Sequence, residues 1–300
     1  MRLGFRLVDV FAKRPLQGNQ LCVVPEGTSM TDARMLAVAK EIGFSETTFV
    51  TSAGGDRYSM RIFTPGGELP FAGHPTLGTA FVLVSERRVS SPAIQTVAAG
   101  EFAVDVDVPG NHARMRQLPA VFGTPLSARQ REDVATALGI DASRLRGDVP
   151  CQVVSTGIGH LIVALTDEDA VRAVEPRPRS LAAVLRSNGT DGCYVFASSG
   201  QTAKARYFAP EVGVSEDPAT GSAAGPLGAF CREHDLIQEA DLTIHQGDEM
   251  GRPSVLRVEV QRDGDAWRPW VGGGVFVVGS GEFVLDDQEE PPARSSSPSR

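Results

Sequence analysis

Three polar side chains have the types and settings needed for proton transfer. Glu46 follows a predicted helix end at Gly43 and enters a strand-like run, so a dry site would raise its pKa toward the range of a general base. His74 is a candidate acid or substrate ligand, because imidazole titrates near neutral pH. Asp217 is expected to stay ionised at a helix N-terminus and to hold an amine or a hydroxyl group. The structural alternatives are a solvated turn glutamate, a structural histidine and an ordinary capping aspartate.

Ser222 supports a different hypothesis, a hydrolase in which its hydroxyl is the nucleophile beside His74 and Asp217. The serine lies in the run Thr-Gly-Ser-Ala-Ala, which lacks the Gly-x-Ser-x-Gly turn that exposes a nucleophile. This context favours a hydrogen bond from Ser222 to a ligand. A binding protein that has kept the cleft without the chemistry is a further alternative, against which the retention of all four polar groups argues.

The candidate residues lie in a sequence pattern that occurs twice. Arg-x-Phe-x-Pro begins at Arg61 and again at Arg206, an offset of 145 residues, and a His/Asp-Pro-x-x-Gly pattern follows at His74 and Asp217, an offset of 143. Each copy places a Pro at the first helical position, which predicts His74 and Asp217 as N-caps. Small residues follow, so the first-turn N–H groups stay open to an anion. We predict two halves related by a pseudo-twofold axis, with an anion bound between two helix ends.

Composition excludes several classes of protein. The net charge of −8 argues against a nucleic-acid partner, and no apolar run is long enough for a signal peptide or a membrane span. The four cysteines have neither metal nor disulfide spacing, which suits a cytoplasmic location, and Cys22 and Cys151 lie in apolar, core-like runs. Because no dinucleotide fingerprint, P-loop or metal-ligand cluster is present, we expect acid–base chemistry without a cofactor or a metal.

The predicted elements indicate an α+β fold in which two curved mixed sheets each surround one central helix. The N-terminal half is expected to span residues 1–117, completed by the last strand at about 275–285, the C-terminal half 118–274, and a disordered tail 286–300. The predicted helices cover 31–42, 75–85, 129–138, 169–186 and 218–233. The predicted strands cover 7–11, 20–24, 47–50, 60–63, 102–108, 153–165, 203–208, 255–260 and 275–278.

Several separated motifs together resemble the PhzF family of phenazine-biosynthesis isomerases. They are Val8-Asp9-Val10-Phe11, Gly18-Asn19, Ser45-Glu46-Thr47-Thr48-Phe49-Val50, Glu68-Leu69-Pro70-Phe71-Ala72-Gly73-His74-Pro75, Asp217-Pro218-Ala219-Thr220-Gly221-Ser222-Ala223-Ala224-Gly225 and Gly251-Arg252-Pro253-Ser254. The resemblance implies the fold of diaminopimelate epimerase, with the active site between two pseudo-symmetric halves, and usually a homodimer. It also implies isomerisation of a small carboxylate substrate, trans-2,3-dihydro-3-hydroxyanthranilate in the best-characterised member, without a cofactor.

The resemblance assigns roles by motif. The catalytic glutamate, histidine and aspartate of the family fall on Glu46, His74 and Asp217. The expected substrate-binding residues are Ser45, Gly73, Gly221 and Ser222, with the backbone of the last three on the substrate carboxylate. In this hypothesis Glu46 removes a proton from one carbon of a conjugated amino acid and returns it to another.

Two departures bear on the substrate. Epimerases and proline racemases of this fold use two thiols at the helix ends, where the sequence places His74 and Asp217, so two-thiol racemisation is not expected. The usual Gly-Asn-Pro of the PhzF family reads Gly18-Asn19-Gln20, which changes one side of the site. Similar proteins of other antibiotic pathways, such as those that make alkylproline units, share the motifs with different unsaturated acids.

Overall fold

The structure, a computed structural model, describes residues 1–70, 72–97 and 100–286. Its helices are α1 (Asp32–Ile42), α2 (Gly73–Ser85), α3 (Ala128–Leu138), α4 (Glu168–Arg172), α5 (Pro178–Ser187) and α6 (Gly221–Glu233). Its strands are β1 (Arg2–Val10), β2 (Asn19–Val24), β3 (Glu46–Gly54), β4 (Arg57–Thr64), β5 (Gly67–Leu69), β6 (Ala93–Val97), β7 (Gly100–Asp107), β8 (His112–Arg116), β9 (Val121–Phe122), β10 (Gln152–Ser155), β11 (Gly159–Ala164), β12 (Gly192–Ser199), β13 (Thr202–Ala209), β14 (Val214–Asp217), β15 (Asp241–Gln246), β16 (Ser254–Asp263) and β17 (Ala266–Val284).

The same strand order occurs twice along the chain. In the first copy β2 is parallel to β3, β4 pairs with β3, β5 and β6, and β7 and β8 follow as antiparallel neighbours. In the second copy β11 is parallel to β12, β13 pairs with β12, β14 and β15, and β16 and β17 follow. The long strand β17 pairs with β16 and β8 and then continues along β1. The predicted α+β fold is confirmed, and the boundary predicted between 117 and 118 falls directly after β8.

The two central helices, α2 and α6, are each 13 residues long and lie inside the curved sheets. Nearly all of their positions are buried, because a helix surrounded by a sheet has no solvent face. Glycines make this packing possible. A Cβ atom at Gly78 would lie 2.6 Å from Leu21, and one at Gly228 would lie 2.6 Å from Val258. The small-residue composition of these segments therefore positions the helices against the strands.

The helix starts differ from the prediction. The N-caps are Ala72 and Thr220, so His74 lies within the first turn of α2 and Asp217 is the last residue of β14. The capping prediction for His74 and Asp217 was wrong, because Asp217 is paired with Tyr207 in a strand three residues before the helix. Pro75 is tolerated inside the first turn, where its missing N–H would have no helical acceptor.

These starts also correct the alignment of the two copies. Gly73 and Gly221 begin helices of equal length and are 148 residues apart, whereas strands β4 and β13 begin 145 residues apart. The C-terminal copy thus carries three more residues between β13 and α6, a segment in which the chain forms a 3₁₀ turn at Pro210–Val212. The structural equivalent of His74 is therefore Ser222, not Asp217. Neither helix N-terminus carries a thiol of the kind that epimerases of this fold use. All four cysteines are buried, and Cys22 and Cys151 lie in the core as predicted.

Two further predicted elements are interrupted. The predicted strand 153–165 is a hairpin of β10 and β11, which turns at Gly157 with a φ of 130°. The predicted helix 169–186 is two helices, α4 and α5, because Pro176 and Pro178 break the hydrogen-bond pattern between them. The last part of the predicted tail, 287–300, lies outside the described residues. No helix in the described ranges is long and apolar enough to cross a membrane.

Candidate active site

The N-termini of α2 and α6 meet at the seam between the two halves. A Cβ atom on Gly73 would lie 3.1 Å from the backbone nitrogen of Ser222 and 3.3 Å from the carbonyl carbon of Gly221. Neither N-cap side chain bonds the first turn of its helix. The first-turn N–H groups of both helices are thus uncapped by side chains, which is the arrangement that binds a carboxylate or another anion.

Glu46 is the first residue of β3 and directs its carboxylate at His74. The distance from Glu46 Oε2 to His74 Nε2 is 3.4 Å, and both atoms are buried without a hydrogen-bond partner. Burial raises the pKa of Glu46 to about 7, while Ser45 opposes the shift through a hydrogen bond. At neutral pH this carboxyl group exchanges its proton readily, which is the property that a general base needs.

His74 is neutral in this environment. Burial lowers its pKa to about 4, and the charge of Asp217 and the backbone of Gln20 only partly oppose that shift. The expectation that its imidazole titrates near neutral pH was therefore wrong. Asn19 Nδ2 lies 3.3 Å from His74 Nδ1, and an amide N–H donor there makes Nδ1 the acceptor and leaves the proton on Nε2, facing Glu46.

Asp217 is surrounded by donors. Its Oδ1 accepts a hydrogen bond of 2.9 Å from Asn19 Nδ2, its Oδ2 accepts one from the Thr220 hydroxyl, and its backbone oxygen accepts one of 2.7 Å from Gln246. Its pKa is nevertheless raised to about 6, first by burial and then by repulsion from Glu46. The sequence analysis expected a helix N-terminus to keep Asp217 firmly ionised. That reason was wrong, because the surroundings of Asp217 raise its pKa. Asp217 is anionic at neutral pH but close to its titration range.

Asn19 joins two of the three candidate groups, His74 and Asp217, and the sequence analysis assigned it no role. The two hydrogens of its Nδ2 are shared among His74, Asp217 and the backbone oxygen of Ala219, the last at 3.1 Å, and its Oδ1 accepts from Ser45 Oγ at 3.3 Å. The side chain therefore connects the base-bearing half to the aspartate-bearing half. The motif Gly18-Asn19 was the one available signal in the sequence.

The loop that leads to Asn19 is fixed by a buried ion pair. Arg252 Nη2 lies 2.6 Å from Asp9 Oδ1, and the guanidinium also donates to the backbone oxygens of Gln17 and Gly18. Asp9 additionally accepts from the backbone N–H of Leu16. A charged pair that bonds backbone on both sides holds the loop in one geometry, so Asn19 is held from both halves.

The remaining predicted binding residues also lie at the seam. Gly73 and Gly221 are the first residues of their helices, Ser222 follows Gly221, and Ser45 precedes Glu46. Ser222 borders a small cavity with Gln117, Thr156, Ile158, Phe102 and Met115, whose free space of about 10 Å³ is room for one water molecule.

A larger groove of the described part lies elsewhere. It encloses about 350 Å³ on the outer side of the C-terminal half and is lined mainly by prolines and apolar residues, among them Pro176, Pro178 and Phe208. This groove contains no pair of buried titratable groups. We therefore place the candidate active site at the seam, although the cavity there is smaller. Within the described ranges no three His, Cys, Asp or Glu residues are placed to bind a metal ion.

The sequence matches a known protein family over most of its length. The sequence profile of the phenazine biosynthesis-like proteins (PhzC-PhzF) matches residues 8–278. The chain belongs to the PhzF family. This PhzF-family chain is 34% identical to the trans-2,3-dihydro-3-hydroxyanthranilate isomerase of Pseudomonas fluorescens over 94% of its length and 99% of that protein. It is 30% identical to an uncharacterised isomerase of Clostridium acetobutylicum, over 93% of this chain and 97% of that one. The PhzF-family protein is therefore an isomerase.

Solved structures of other proteins have the same fold as this chain. The PhzF-family phenazine biosynthesis protein of Bacillus anthracis superposes with a TM-score of 0.84 at 26% identity, over 95% of this chain and 100% of that one. A proline racemase of Agrobacterium radiobacter superposes with a TM-score of 0.63 at 12% identity, over 95% and 93%. The latter likeness concerns the fold alone, and it agrees with the expected epimerase-like architecture of this PhzF-family protein.

Proposed function

We propose that the protein is a cofactor-independent isomerase that moves a proton between two carbons of a small conjugated amino acid, most favourably trans-2,3-dihydro-3-hydroxyanthranilate. The observation that carries the proposal is the buried pair of Glu46 and His74 beside two uncapped helix ends. The helix ends bind the substrate carboxylate, and Asp217 binds the amine. We also propose a cytoplasmic homodimer, as the family resemblance implies.

The proposed reaction uses one base. Glu46 takes a proton from the substrate. Neutral His74, whose Nε2 lies 3.4 Å from Glu46 Oε2, hydrogen-bonds the oxygen on which negative charge develops or holds Glu46 in place. The conjugated anion then accepts the proton from Glu46 at another carbon. Burial of the Glu46 and His74 side chains limits the access of water, which keeps the proton on Glu46 and protects a reactive product.

The hydrolase hypothesis has less support. Among the described hydrogen bonds, none joins the Ser222 hydroxyl to His74 or Asp217, and Ser222 lies inside the first turn of α6. Nucleophilic catalysis requires a base within hydrogen-bond reach of the hydroxyl. The position of Ser222 instead suits a contact to the substrate carboxylate.

The test is proton NMR in D₂O with trans-2,3-dihydro-3-hydroxyanthranilate and the purified protein. We expect consumption of the substrate and partial deuterium incorporation at the carbon that receives the proton. No turnover by folded protein would contradict the choice of substrate, and the same assay with unsaturated alkylproline precursors would then test the second candidate, which the unusual Gln20 makes relevant.

The rate is expected to fall on the acid side. Glu46 acts as a base only when ionised, and its pKa is about 7, so kcat/KM should decline below that pH. The decline should steepen near pH 6, where Asp217 also takes up a proton and loses its affinity for an amine. His74, with a pKa of about 4, stays neutral and adds no step. A kcat/KM profile from pH 5 to 9 measures this, and a constant value across that range would contradict it.

Asn19→Ala is expected to lower kcat/KM by roughly 30-fold. The change removes the donor to Asp217 and to His74 Nδ1, and hydrogen bonds to charged groups contribute about 2 kcal/mol. Steady-state kinetics measures the loss. Asn188→Ala is the matched control, because Asn188 caps α5 far from the seam, and it should retain wild-type kinetics. Equal kinetics of Asn19→Ala and the control would contradict the role of Asn19.

A further inference from the structure

The position of Glu46 has a counterpart in the second half, and it is a glycine. On β2 and β3, Leu21 is paired with Glu46, and Thr48 is paired with Ile62 on β4. On β11 and β12, His160 is paired with Gly192, and Tyr194 is paired with Tyr207 on β13. Since the strand order is the same, Gly192 corresponds to Glu46, His160 to Leu21, and Tyr207 to Ile62.

The space above Gly192 is filled by the phenol of Tyr207. A Cβ atom on Gly192 would lie 2.0 Å from the Tyr207 hydroxyl oxygen, so only glycine permits this placement. The hydroxyl reaches the His160 ring, with a distance of 3.3 Å to Nδ1. Where one half carries Glu46 against two apolar neighbours, Leu21 and Ile62, the other half carries a neutral polar pair, Tyr207 and His160.

The Tyr207–His160 pair is buried at the seam. Tyr207 is 9% exposed and His160 is 2% exposed, and His160 Nε2 has no hydrogen-bond partner. The imidazole lies beside the backbone of Ser222, the residue at the N-terminus of α6. The carbonyl of Ser222 has no helical donor, because the residue four positions later is Pro226. The pair therefore lies next to the helix end that binds the substrate carboxylate in the proposed function.

The pair suits a neutral oxygen atom rather than an ion. Burial lowers the pKa of His160 to about 4 and raises the pKa of Tyr207 far above neutral, so neither side chain is charged at neutral pH. A phenol and a neutral imidazole each donate and accept hydrogen bonds. In the proposed function the substrate carboxylate and amine already have partners, which leaves the hydroxyl group.

We propose that Tyr207 and His160 bind a hydroxyl group of the substrate ring on the side of the cleft opposite Glu46, and thereby select hydroxylated amino acids. This inference deepens the proposed function and rests on it. A site built to hydrogen-bond a hydroxyl group rejects the analogue that lacks it, because its polar atoms are then left unpaired. His160 Nε2 is a buried polar atom of this kind, because it makes no direct hydrogen bond although the backbone of Ser222 lies beside the ring.

The test compares two stable aromatic ligands, 3-hydroxyanthranilate and anthranilate, which differ only in the hydroxyl group. Calorimetry should show tighter binding of the hydroxylated ligand by the wild-type protein. Tyr207→Phe, which removes one oxygen atom, should weaken binding of 3-hydroxyanthranilate about 10-fold and that of anthranilate less than twofold. His160→Leu, which introduces the residue found at the equivalent position 21, should do the same.

Tyr58→Phe is the matched control, since Tyr58 is an equally buried tyrosine whose hydroxyl bonds the backbone oxygen of Thr76 in α2. It should leave the preference between the two ligands unchanged. If Tyr207→Phe weakens both ligands equally, the pair is structural and the inference is wrong, while the proposed function stands. If the folded wild-type protein binds neither ligand, the proposed substrate class is wrong and the inference falls with it.

Discussion

Replacing Glu46 by Gln is expected to lower kcat for the proposed isomerisation by about 10³-fold, the typical contribution of a positioned general base. The amide keeps the shape of the side chain but takes no proton. His74 cannot substitute, because with a pKa of about 4 its neutral ring is a weak base. The NMR assay in D₂O measures both the residual rate and the loss of deuterium incorporation.

Glu26→Gln is the control for this prediction. Glu26 is an exposed glutamate, 78% accessible, with an ion pair to Arg88, and its replacement should leave kcat unchanged. Retention of more than a tenth of the wild-type rate by Glu46→Gln would exclude Glu46 as the base. Labelling of Ser222 by a serine-directed phosphonate in that same active variant would favour the hydrolase.

The second large effect of Glu46→Gln is on stability, and it depends on pH. The pKa of Glu46 rises from 4.5 to about 7 on folding, so the folded state holds a proton that the unfolded state has lost between these values. Stability contributed by this proton is fully present below pH 4.5 and is lost as the pH rises through 7. The loss amounts to about 3 kcal/mol at 1.36 kcal/mol per pKa unit.

Glu46→Gln has no such proton to lose. The variant should therefore exceed the wild type in free energy of unfolding by about 3 kcal/mol at pH 8, and by close to zero at pH 4. Asp217 adds to the difference in the same direction, because repulsion from Glu46 raises its pKa and disappears in the variant. His74 is present in both proteins and contributes alike to their free energies of unfolding.

Guanidinium denaturation at pH 4 and pH 8 measures this prediction. Glu26→Gln again serves as the control, since an exposed ion pair contributes little to the free energy of unfolding. The difference between this variant and the wild type should be the same at both values of pH. A gain for Glu46→Gln that is equal at pH 4 and pH 8 would show that burial does not shift the pKa of Glu46. Loss of activity together with a gain in stability at high pH would identify Glu46 as a functional group held at a cost to folding.

Local sequence signals were sufficient for much of the fold. The small, apolar segments behind His74 and Asp217 predicted two buried helices, and Gly43 correctly marked the end of α1 in an αL conformation. A raised pKa of Glu46 was predicted on the condition that its site is dry, and burial of the carboxyl group meets that condition. The effect of prolines was predicted wrongly in one segment, which was expected to form a single helix and forms the two helices α4 and α5.

The correspondence of the two halves needed the tertiary structure. Both His74 and Asp217 precede a Pro, and that local likeness suggested an equivalence that strand pairing overturns. Strand β14 places Asp217 opposite Tyr207, three residues before the N-cap of α6. Hydrogen-bond register is decided by neighbouring strands, which a motif of a few residues does not record.

By itself, the sequence determined the family and the two central helices, because these depend on local residue types, and it is the source of the proposal that Glu46 is the base. Only the tertiary structure decided that His74 is neutral, that Asp217 titrates near 6 and that Asn19 joins them. The bond from Asn19 to Asp217 spans 198 residues of chain. A pKa depends on burial and on charges nearby in space, so it exists only once these distant segments have closed around the same site.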